Sequence, residues 1–351
     1  MSQNLPEEVE IELGLDEATD ADALRQRVGK KLGVAPSSLP EPSVLRRSID
    51  ARRGSVHFHL IVGLRPVANE PLGGAAPREA APGQGPPVVV VGDGPAGLFC
   101  AYELARQGLS VTVVDRGKTV QPRRHDLKAL NQGGTIDGDS NYCFGEGGAG
   151  TYSDGKLYTR AHKRGCVRDV IELLALHGAP EAILVDARPH IGSNRLPKVV
   201  TALREKLASV GVQFEFGARV VGLLRKVGRV SGVRLADGRE IEARAVVLAT
   251  GHSARDIFVM LAEAGVQLEA KAFALGVRIE HPQPLINRIQ YGRFADHPKL
   301  PNASYRVAET VDGRGVFSFC MCPGGFVVPA STEPGELVRD STPISTASSV
   351  R

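Results

Sequence analysis

The stretch that decides the fold is PVVVVGDGPAGLFCAYELARQG, residues 87–108. A continuous run of valines is typical of a strand that is covered on both faces of a parallel sheet. The apolar residues after Pro95 recur at helical spacing, and Gly108 stands where such a helix would end. A second β-branched run, SVTVVD, follows at 110–115. The stretch therefore predicts a β-α-β unit, the building block of an α/β domain.

The turn between this strand and its helix has the spacing G-x-G-x-x-G. In that context the first glycine closes a tight turn and the second lets the backbone approach a pyrophosphate at the helix N-terminus. The third lets the helix pack closely on the strand. The pattern predicts a dinucleotide site with contacts from Gly92, Gly94, Pro95, Ala96 and Gly97. The alternative is an α/β turn that binds no nucleotide.

The end of the second strand carries the next predicted contacts, Asp115 and Arg116. A carboxylate at this position accepts hydrogen bonds from ribose hydroxyls, and it would repel the 2′-phosphate of NADP. The fingerprint alone does not separate FAD from NAD.

The later part of the chain favours FAD. VQFEF (212–216) predicts a third parallel strand, and the residues after it predict a meander with a hairpin turn at Asp237-Gly238. A buried strand then ends in Ala249-Thr250-Gly251, an arrangement by which FAD-binding folds return the chain to the cofactor. The predicted contacts are Arg219 and Val220 at the adenine edge, through backbone groups, and Thr250 and Gly251 at the returning turn.

A second glycine cluster, FGEGGAGTYSDGKL, occupies residues 144–157. A flexible surface loop is one interpretation, but a linker would not interleave Tyr142, Phe144, Tyr152 and Leu157 with its glycines. The preferred interpretation is an ordered loop whose backbone N–H groups bind phosphate or flavin. Its predicted contacts are Gly147, Gly148, Ala149 and Gly150, with Asp154 and Lys156 facing the site.

Several long motifs resemble those of the little-characterised FAD-dependent dehydrogenases related to glutathione-reductase-type flavoproteins. They are GDGPAGLFCAYELARQG, FGEGGAGTYSDGKLYTR, ATGHSARD, FALGVRIEHPQPLINRIQYG and FCMCPGG, and LRRSIDARR resembles the N-terminal module of that family. The resemblance extends to about residue 338. It implies non-covalently bound FAD and a redox reaction, with no settled substrate.

Two features depart from that family. Asp115 stands where the family usually has Glu, a shorter side chain that still suits a ribose diol. After PGELV the family continues with further residues that close over the flavin, whereas this sequence turns into the polar RDSTPISTASSVR. We interpret the second departure as a C-terminal truncation or a change of reading frame.

Candidate catalytic groups are few: His252, Arg255 and Lys156. A histidine after a strand end is more often a surface or capping residue than a reactive one. The favoured function is an FAD-dependent oxidoreductase, a dehydrogenase or reductase, which exchanges electrons with an unknown donor and a small-molecule acceptor. The alternative is a nucleotide-binding fragment or regulatory module without catalysis.

The composition excludes several other classes. The net charge of +4 over 351 residues is mild, which argues against nucleic acid as a partner. The acidic start argues against a secretory signal, and no apolar run approaches a membrane span. The five scattered cysteines contain no C-x-x-C pair, so they suggest neither a disulfide framework nor a metal site. A cytoplasmic protein without stable membrane insertion is expected.

The expected fold is α/β, with a Rossmann-like FAD-binding domain, a mixed β-rich catalytic segment and a small N-terminal β-α-β-β module. The predicted divisions are a module at 1–65, a Pro/Gly/Ala-rich linker at 66–86, the FAD-binding domain at 87–270, part of a β-rich substrate domain at 271–338, and a polar tail at 339–351.

Overall fold

The computed structural model describes residues 5–65, 73–159, 165–273, 276–318, 321–333 and 339–343. The helices in these ranges are α1 Ala21–Leu32, α2 Pro95–Arg106, α3 Val120–Asn131, α4 Val167–Leu176, α5 Leu196–Ala208, α6 Arg255–Glu263 and α7 Gln283–Tyr291. The strands are β1 Glu8–Gly14, β2 Ser43–Asp50, β3 His57–Gly63, β4 Val88–Val91, β5 Val111–Asp115, β6 Gln213–Phe216, β7 Val220–Lys226, β8 Arg229–Leu235, β9 Glu240–Glu242, β10 Ala245–Leu248, β11 Ala308–Val311, β12 Arg314–Phe317, β13 Gly325–Pro329 and β14 Arg339–Pro343.

A four-stranded parallel sheet in the order β10-β4-β5-β6 forms the centre of the main domain. All four residues of β4 are buried, because α2, α4 and α5 cover one face of the sheet and the antiparallel meander β7-β8-β9 covers the other. Alternate valines serve the two layers: Val90 packs with the helices, and Val89 and Val91 pack with the meander. The predicted α/β class, the third parallel strand and the meander are confirmed.

Helix α2 lies unusually close to the strand that precedes it. A Cβ atom added to Gly97 would lie 1.8 Å from the carbonyl oxygen of Gly92 and 3.3 Å from Cγ1 of Val90. No side chain fits in that space, so Gly97 is required by the packing of the protein itself.

The N-terminal module has the predicted β-α-β-β order and folds into an antiparallel sheet, β1-β3-β2, with α1 packed on it. Its hydrophobic core also contains residues from outside the module. Ile286 and Tyr291 of α7, together with Ala303, belong to the same cluster of buried side chains. The edge strand β2 also pairs with the main domain, because the N–H of Arg47 donates to Val185 O (2.7 Å).

The segment expected to be a linker is described over residues 73–86, and it lies along the main domain. The N–H of Arg78 donates to Ala105 O and the N–H of Ala81 donates to Gly108 O, both at 3.1 Å. Backbone hydrogen bonds of this kind need no apolar side chains, so the composition does not reveal them. The division of the chain into domains stays a prediction.

The C-terminal segment contains two antiparallel pairs, β11-β12 and β13-β14. Residues 339–343, which the sequence placed in an irregular polar tail, form β14 opposite β13. Strand pairing through the backbone does not require an apolar period, which is why the polar composition was misleading here. Residues 344–351 lie outside the described part of the chain.

We predict that Gly97→Ala destabilises the fold by about 1–3 kcal/mol, the usual range for overpacking a close-packed contact. The added methyl group must push α2 away from the Gly92 carbonyl. Urea unfolding of the two proteins measures the difference. Gly94→Ala, in the same turn, is the matched control, since its Cβ would lie 3.8 Å from the nearest protein atom. Equal stability of wild type and Gly97→Ala would contradict the packing described above.

Candidate functional site

The site begins where β4 and β10 end side by side. Gly92 has φ +103°, and a Cβ atom there would lie 2.5 Å from Ala249 O. The N–H of Ala249 donates to Val91 O at 2.8 Å. The structure therefore brings the Ala249-Thr250-Gly251 turn next to the glycine fingerprint, two segments that lie far apart in the sequence. Gly92 is required by this contact and by its left-handed backbone.

Gly94 has no such requirement. It is the N-cap of α2 with φ −72°, a backbone that any residue adopts, and a Cβ atom added to it would make an ordinary 3.8 Å contact with Cα of Gly148. The first turn of α2 has no side-chain cap and no acidic residue. No side chain therefore accepts from the N–H groups of this turn or compensates the positive end of the helix dipole. An uncapped helix start beside a position kept free of a side chain fits an anionic diphosphate.

The second glycine cluster lies directly over the first. The N–H of Gly147 donates to Asp93 O at 2.8 Å. Gly148 has φ +62°, and a Cβ atom on it would lie 2.9 Å from Cα of Gly94. Residues 144–148 are buried, and Gly148–Gly150 form a short 3-10 turn beside Pro95. The two glycine clusters therefore form one site, in which backbone meets backbone.

Arg123 of α3 holds the second cluster in place. Its side chain is 0% exposed, and its guanidinium donates at 2.8–3.1 Å to four carbonyl oxygens, those of Asn141, Tyr142, Glu146 and Gly148. Residues 141–157, which contain these four and the second cluster, are called the glycine loop below. The ring of Tyr152 lies 5.3 Å from the guanidinium carbon. Burial lowers the pKa of Arg123, and the nearby Tyr152 and Asp115 act in the opposite direction. The guanidinium keeps its proton, because arginine is not deprotonated in proteins. Sequence reasoning missed Arg123, although the helical spacing of Val120, Leu127 and Leu130 places position 123 on the buried face of α3 and the exposed Arg124 off it.

Glu146 is the second buried charge of the loop. Its carboxylate accepts from Arg204 Nε of α5 and from the N–H of Val120 at the start of α3, both at 2.6 Å. The loop is thereby tied to both helices.

Asp115 holds the turn of the G-x-G-x-x-G motif in place by hydrogen bonds. One carboxylate oxygen accepts the N–H of Asp93 and the other accepts the N–H of Gly117, both at 2.8 Å. Each oxygen has a second lone pair, so the carboxylate keeps the capacity to accept a ribose hydroxyl. The ribose contact stays a prediction, and the two hydrogen bonds to backbone N–H groups are an additional role of Asp115.

Arg116 is engaged with protein groups. Its guanidinium forms ion pairs with Asp139 (2.7 Å) and Asp256 of α6 (3.0 Å), and it lies 4.4 Å from the centre of the Phe144 ring. These contacts connect the end of β5 with the glycine loop and α6. A direct contact of Arg116 with a cofactor stays a prediction.

The predicted adenine edge follows β6. Val220 is buried in the core under the meander, and the carbonyl oxygen of Arg219 accepts the N–H of Ala236 at 2.8 Å. The N–H of the neighbouring residue Ala218 donates to Asp115 O, so this edge lies beside the end of β5. Thr250 is half-buried and Gly251 is exposed with φ +71°.

The three catalytic candidates have different surroundings. His252 and Arg255 are exposed, and Arg255 is the first residue of α6. Lys156 is half-buried, and within the described chain its Nζ has no hydrogen-bond partner; the Asp154 carboxylate lies 3.6 Å away. Asp154 is buried, and its carbonyl oxygen accepts the N–H of Gly192.

Family models match four segments of the chain. They are FAD dependent oxidoreductase over residues 87–123, pyridine nucleotide-disulphide oxidoreductase over 159–276, the C-terminal domain-like region of FAD-dependent proteins over 272–344, and a domain of unknown function over 5–65. Three of these models describe FAD-dependent proteins or pyridine nucleotide-disulphide oxidoreductases, and over those segments the chain is similar to FAD-dependent oxidoreductases. The matched families indicate FAD as the cofactor.

An uncharacterized protein from Clostridium beijerinckii is 38% identical over 354 aligned residues, which include 94% of this chain. The chain spans 64% of the length of that relative.

Solved structures overlap with about half of the chain. Thermovibrio ammonificans THI4 has a TM-score of 0.36 with 19% identity, over 52% of this chain and 63% of its own. The 3-ketosteroid-Δ4-(5α)-dehydrogenase of Rhodococcus jostii has a TM-score of 0.31 with 20% identity, over 51% and 49%. The fold assignment rests on the sheet topology above.

None of the helices within the described ranges combines the length and the apolar character that crossing a membrane requires.

We predict that Arg123→Met destabilises the protein by about 3 kcal/mol, because it leaves buried carbonyl oxygens of the loop without donors. Urea unfolding measures this loss, and limited proteolysis should show new cleavage within residues 141–152. Arg124→Met is the matched control, since Arg124 is the exposed neighbour on the same helix. Equal stability and equal protease resistance of the two variants would show that Arg123 does not hold the loop.

Proposed function

We propose that the protein is an FAD-dependent oxidoreductase that binds the cofactor diphosphate between the two glycine clusters. One observation carries the proposal: Gly94 is a glycine that the protein does not need for its own packing. The other two glycines of the fingerprint are explained by contacts within the chain, whereas the space at Gly94 adjoins an uncapped helix start. A bound anion is the simplest reason to keep that space open.

Each end of the site has its own residues. The N–H groups of Ala96 and Gly97 and the Gly148–Gly150 turn would bind the diphosphate, and Asp115 would accept from the ribose. The backbone at Arg219 and Val220 would lie along the adenine, with Arg116 next to it. Thr250 and Gly251 would contact the middle of the cofactor, on the side of β10.

The flavin supplies the redox chemistry when it is bound, accepting a hydride or electrons and passing them on. The protein contributes orientation and charge. Lys156 is the candidate group for this, because its buried ammonium, which has no hydrogen-bond partner among the described residues, would stabilise negative charge that develops nearby. Asp154, 3.6 Å away, pairs with the ammonium and orients it. The electron donor, the small-molecule acceptor and a cytoplasmic location are parts of this proposal that rest on the sequence.

The alternative hypothesis is that the protein is a nucleotide-binding module without catalysis, and it predicts a different result in the same experiment. Both hypotheses expect flavin absorbance from the reconstituted chain, but only the oxidoreductase should be reduced by a physiological class of donor, such as a reduced pyridine nucleotide. Anaerobic bleaching of the flavin bands with NADH or NADPH, compared with bleaching by dithionite, separates the two hypotheses.

We predict that Gly94→Val lowers FAD affinity by roughly 30- to 150-fold, the loss of two or three hydrogen bonds at about 1 kcal/mol each. The valine side chain would fill the space in front of α2 while the backbone angle at 94 stays allowed. Titration of FAD into the apoprotein, followed by flavin fluorescence, measures affinity, and urea unfolding checks the fold. A folded variant with wild-type affinity would disprove the placement of the diphosphate.

We predict that Gly148→Ala weakens FAD binding by about tenfold without unfolding the sheet, because the methyl group would press on Cα of Gly94 and lift the loop. Gly228→Ala is the matched control. Gly228 also has a positive φ, +74°, but nothing lies within 4 Å of the place that a Cβ atom would occupy. The control carries the same backbone strain as Gly148→Ala and none of the loop contact. If both variants bind FAD equally, the loop does not belong to the site.

A further inference from the structure

Asp93 is the residue of the fingerprint turn whose side chain has no role in the site described so far. It is 0% exposed, and within the described chain neither carboxyl oxygen has a hydrogen-bond partner. Its backbone, in contrast, is fully used. The N–H donates to Asp115 and the carbonyl oxygen accepts from Gly147, so that Asp93 joins the end of β5 to the glycine loop.

The groups that surround this carboxyl are charged, and acids outnumber bases. Asp115 at the end of β5, Glu146 in the glycine loop and Arg204 of α5 act on it through their charges. Arg204 and Glu146 form an ion pair at 2.6 Å, so their opposite effects on Asp93 partly offset each other and the charge of Asp115 remains. Burial, followed by the charges of Asp115 and Glu146, raises the pKa of Asp93 well above its ordinary value, against the weaker influence of Arg204 and the Gly147 N–H.

Ionised Asp93 would be a third carboxylate, beside Asp115 and Glu146, in a buried space whose two arginines, Arg123 and Arg204, already balance those two charges. Repulsion would act between the turn that carries Asp93 and the loop that carries Glu146, which are the two segments that must meet for the site to close. A neutral carboxyl produces no such repulsion. The hydrogen bond from Gly147 to Asp93 and the close approach of Gly148 to Gly94 both depend on this junction.

We propose that Asp93 is a positioning residue that must be protonated for the glycine loop to close on the fingerprint turn, so that binding of FAD is coupled to proton uptake at Asp93. The part concerning FAD rests on the proposed function; the part concerning the loop does not. Asp93 is not a catalytic residue, since it acts through the backbone of the turn and of the loop.

The sign of the pH dependence follows from linkage. A carboxyl whose pKa is raised on folding binds its proton more tightly in the folded state, so its contribution to stability is present at low pH and is lost as the pH rises through the folded pKa. The anionic diphosphate would bind next to the same turn and favour the neutral acid further. The Kd for FAD should therefore rise with pH over the range in which Asp93 of the free protein ionises, by at most about tenfold per pH unit for one proton.

The test uses the full chain and the variant Asp93→Asn, which imitates the neutral acid in size. The Kd for FAD is measured from about pH 5 to about pH 9 at constant ionic strength, a range that includes the values to which buried carboxyls shift. We expect the wild-type Kd to rise with pH and the Asp93→Asn Kd to stay flat, with equal affinities at the acid end. Glu103→Gln, which removes an exposed carboxylate on α2, should behave as wild type. Parallel pH profiles for wild type and Asp93→Asn would overturn the proposal.

A second readout needs no cofactor. Thermal unfolding of the apoprotein should lose stability with rising pH in wild type relative to Asp93→Asn, and protease cleavage in residues 141–152 should increase over the same range. If wild type binds no FAD at any pH, the proposed function fails while this measurement still tests Asp93. Should Asp93→Asn fold poorly, Asp93→Ser supplies a smaller neutral side chain, and a pH-dependent difference from wild type is again required. Absence of that difference in both variants rejects the proposal.

Discussion

The contact on which the site depends is the one between the buried Arg123 guanidinium and the carbonyl oxygens of the glycine loop. A loop rich in glycine loses more conformational entropy on ordering than any other kind of segment, so it needs strong fixed contacts to hold one shape. Charge-assisted hydrogen bonds in a buried place are such contacts. By collecting carbonyl oxygens on the α3 side, Arg123 also directs the opposite face of the loop toward the turn at Gly94.

The same contact explains the arrangement of the acids around the site. A buried cation requires compensation, and Glu146 is buried beside it but forms its own ion pair with Arg204. Asp115 is committed to two backbone N–H groups. Two cations and two anions are thus already balanced before Asp93 is counted, which is the electrostatic reason for its proton. A single substitution at any of these positions should change the electrostatic energy of the other charged groups, because they share a small volume of low dielectric.

The parts of the structure that the sequence predicted are the parts with a local cause. Valine runs, helical spacing after Pro95 and the positions of glycine reflect backbone rules that operate within a few residues, and they located β4, α2 and β5 correctly. The helical spacing of α3 puts position 123 on its buried face, but the hydrogen-bond partners of Arg123 and the burial of Asp93 depend on segments brought together by the whole domain. The shared core of the N-terminal module with α7 is also of this kind: Ile286 and Tyr291 lie more than two hundred residues from the strands on which they pack. For the same reason the sequence could name Arg116 as a contact of the cofactor but could not foresee its ion pairs with Asp139 and Asp256.

The glycines of the site illustrate how a fold can indicate the molecule that it binds. Gly92 and Gly97 would each place a side-chain carbon within 2.5 Å of a carbonyl oxygen of the protein, so their identity is explained by the fold alone. At Gly148 the explanation is shared, because the close neighbour is the turn that would hold the diphosphate. Gly94 has neither a forbidden backbone angle nor a close neighbour, and a residue with a side chain there would lower the conformational entropy of the unfolded chain and so favour folding. A glycine that the fold does not require, at an uncapped helix start and beneath a loop fixed by a buried arginine, is best explained by what binds against it.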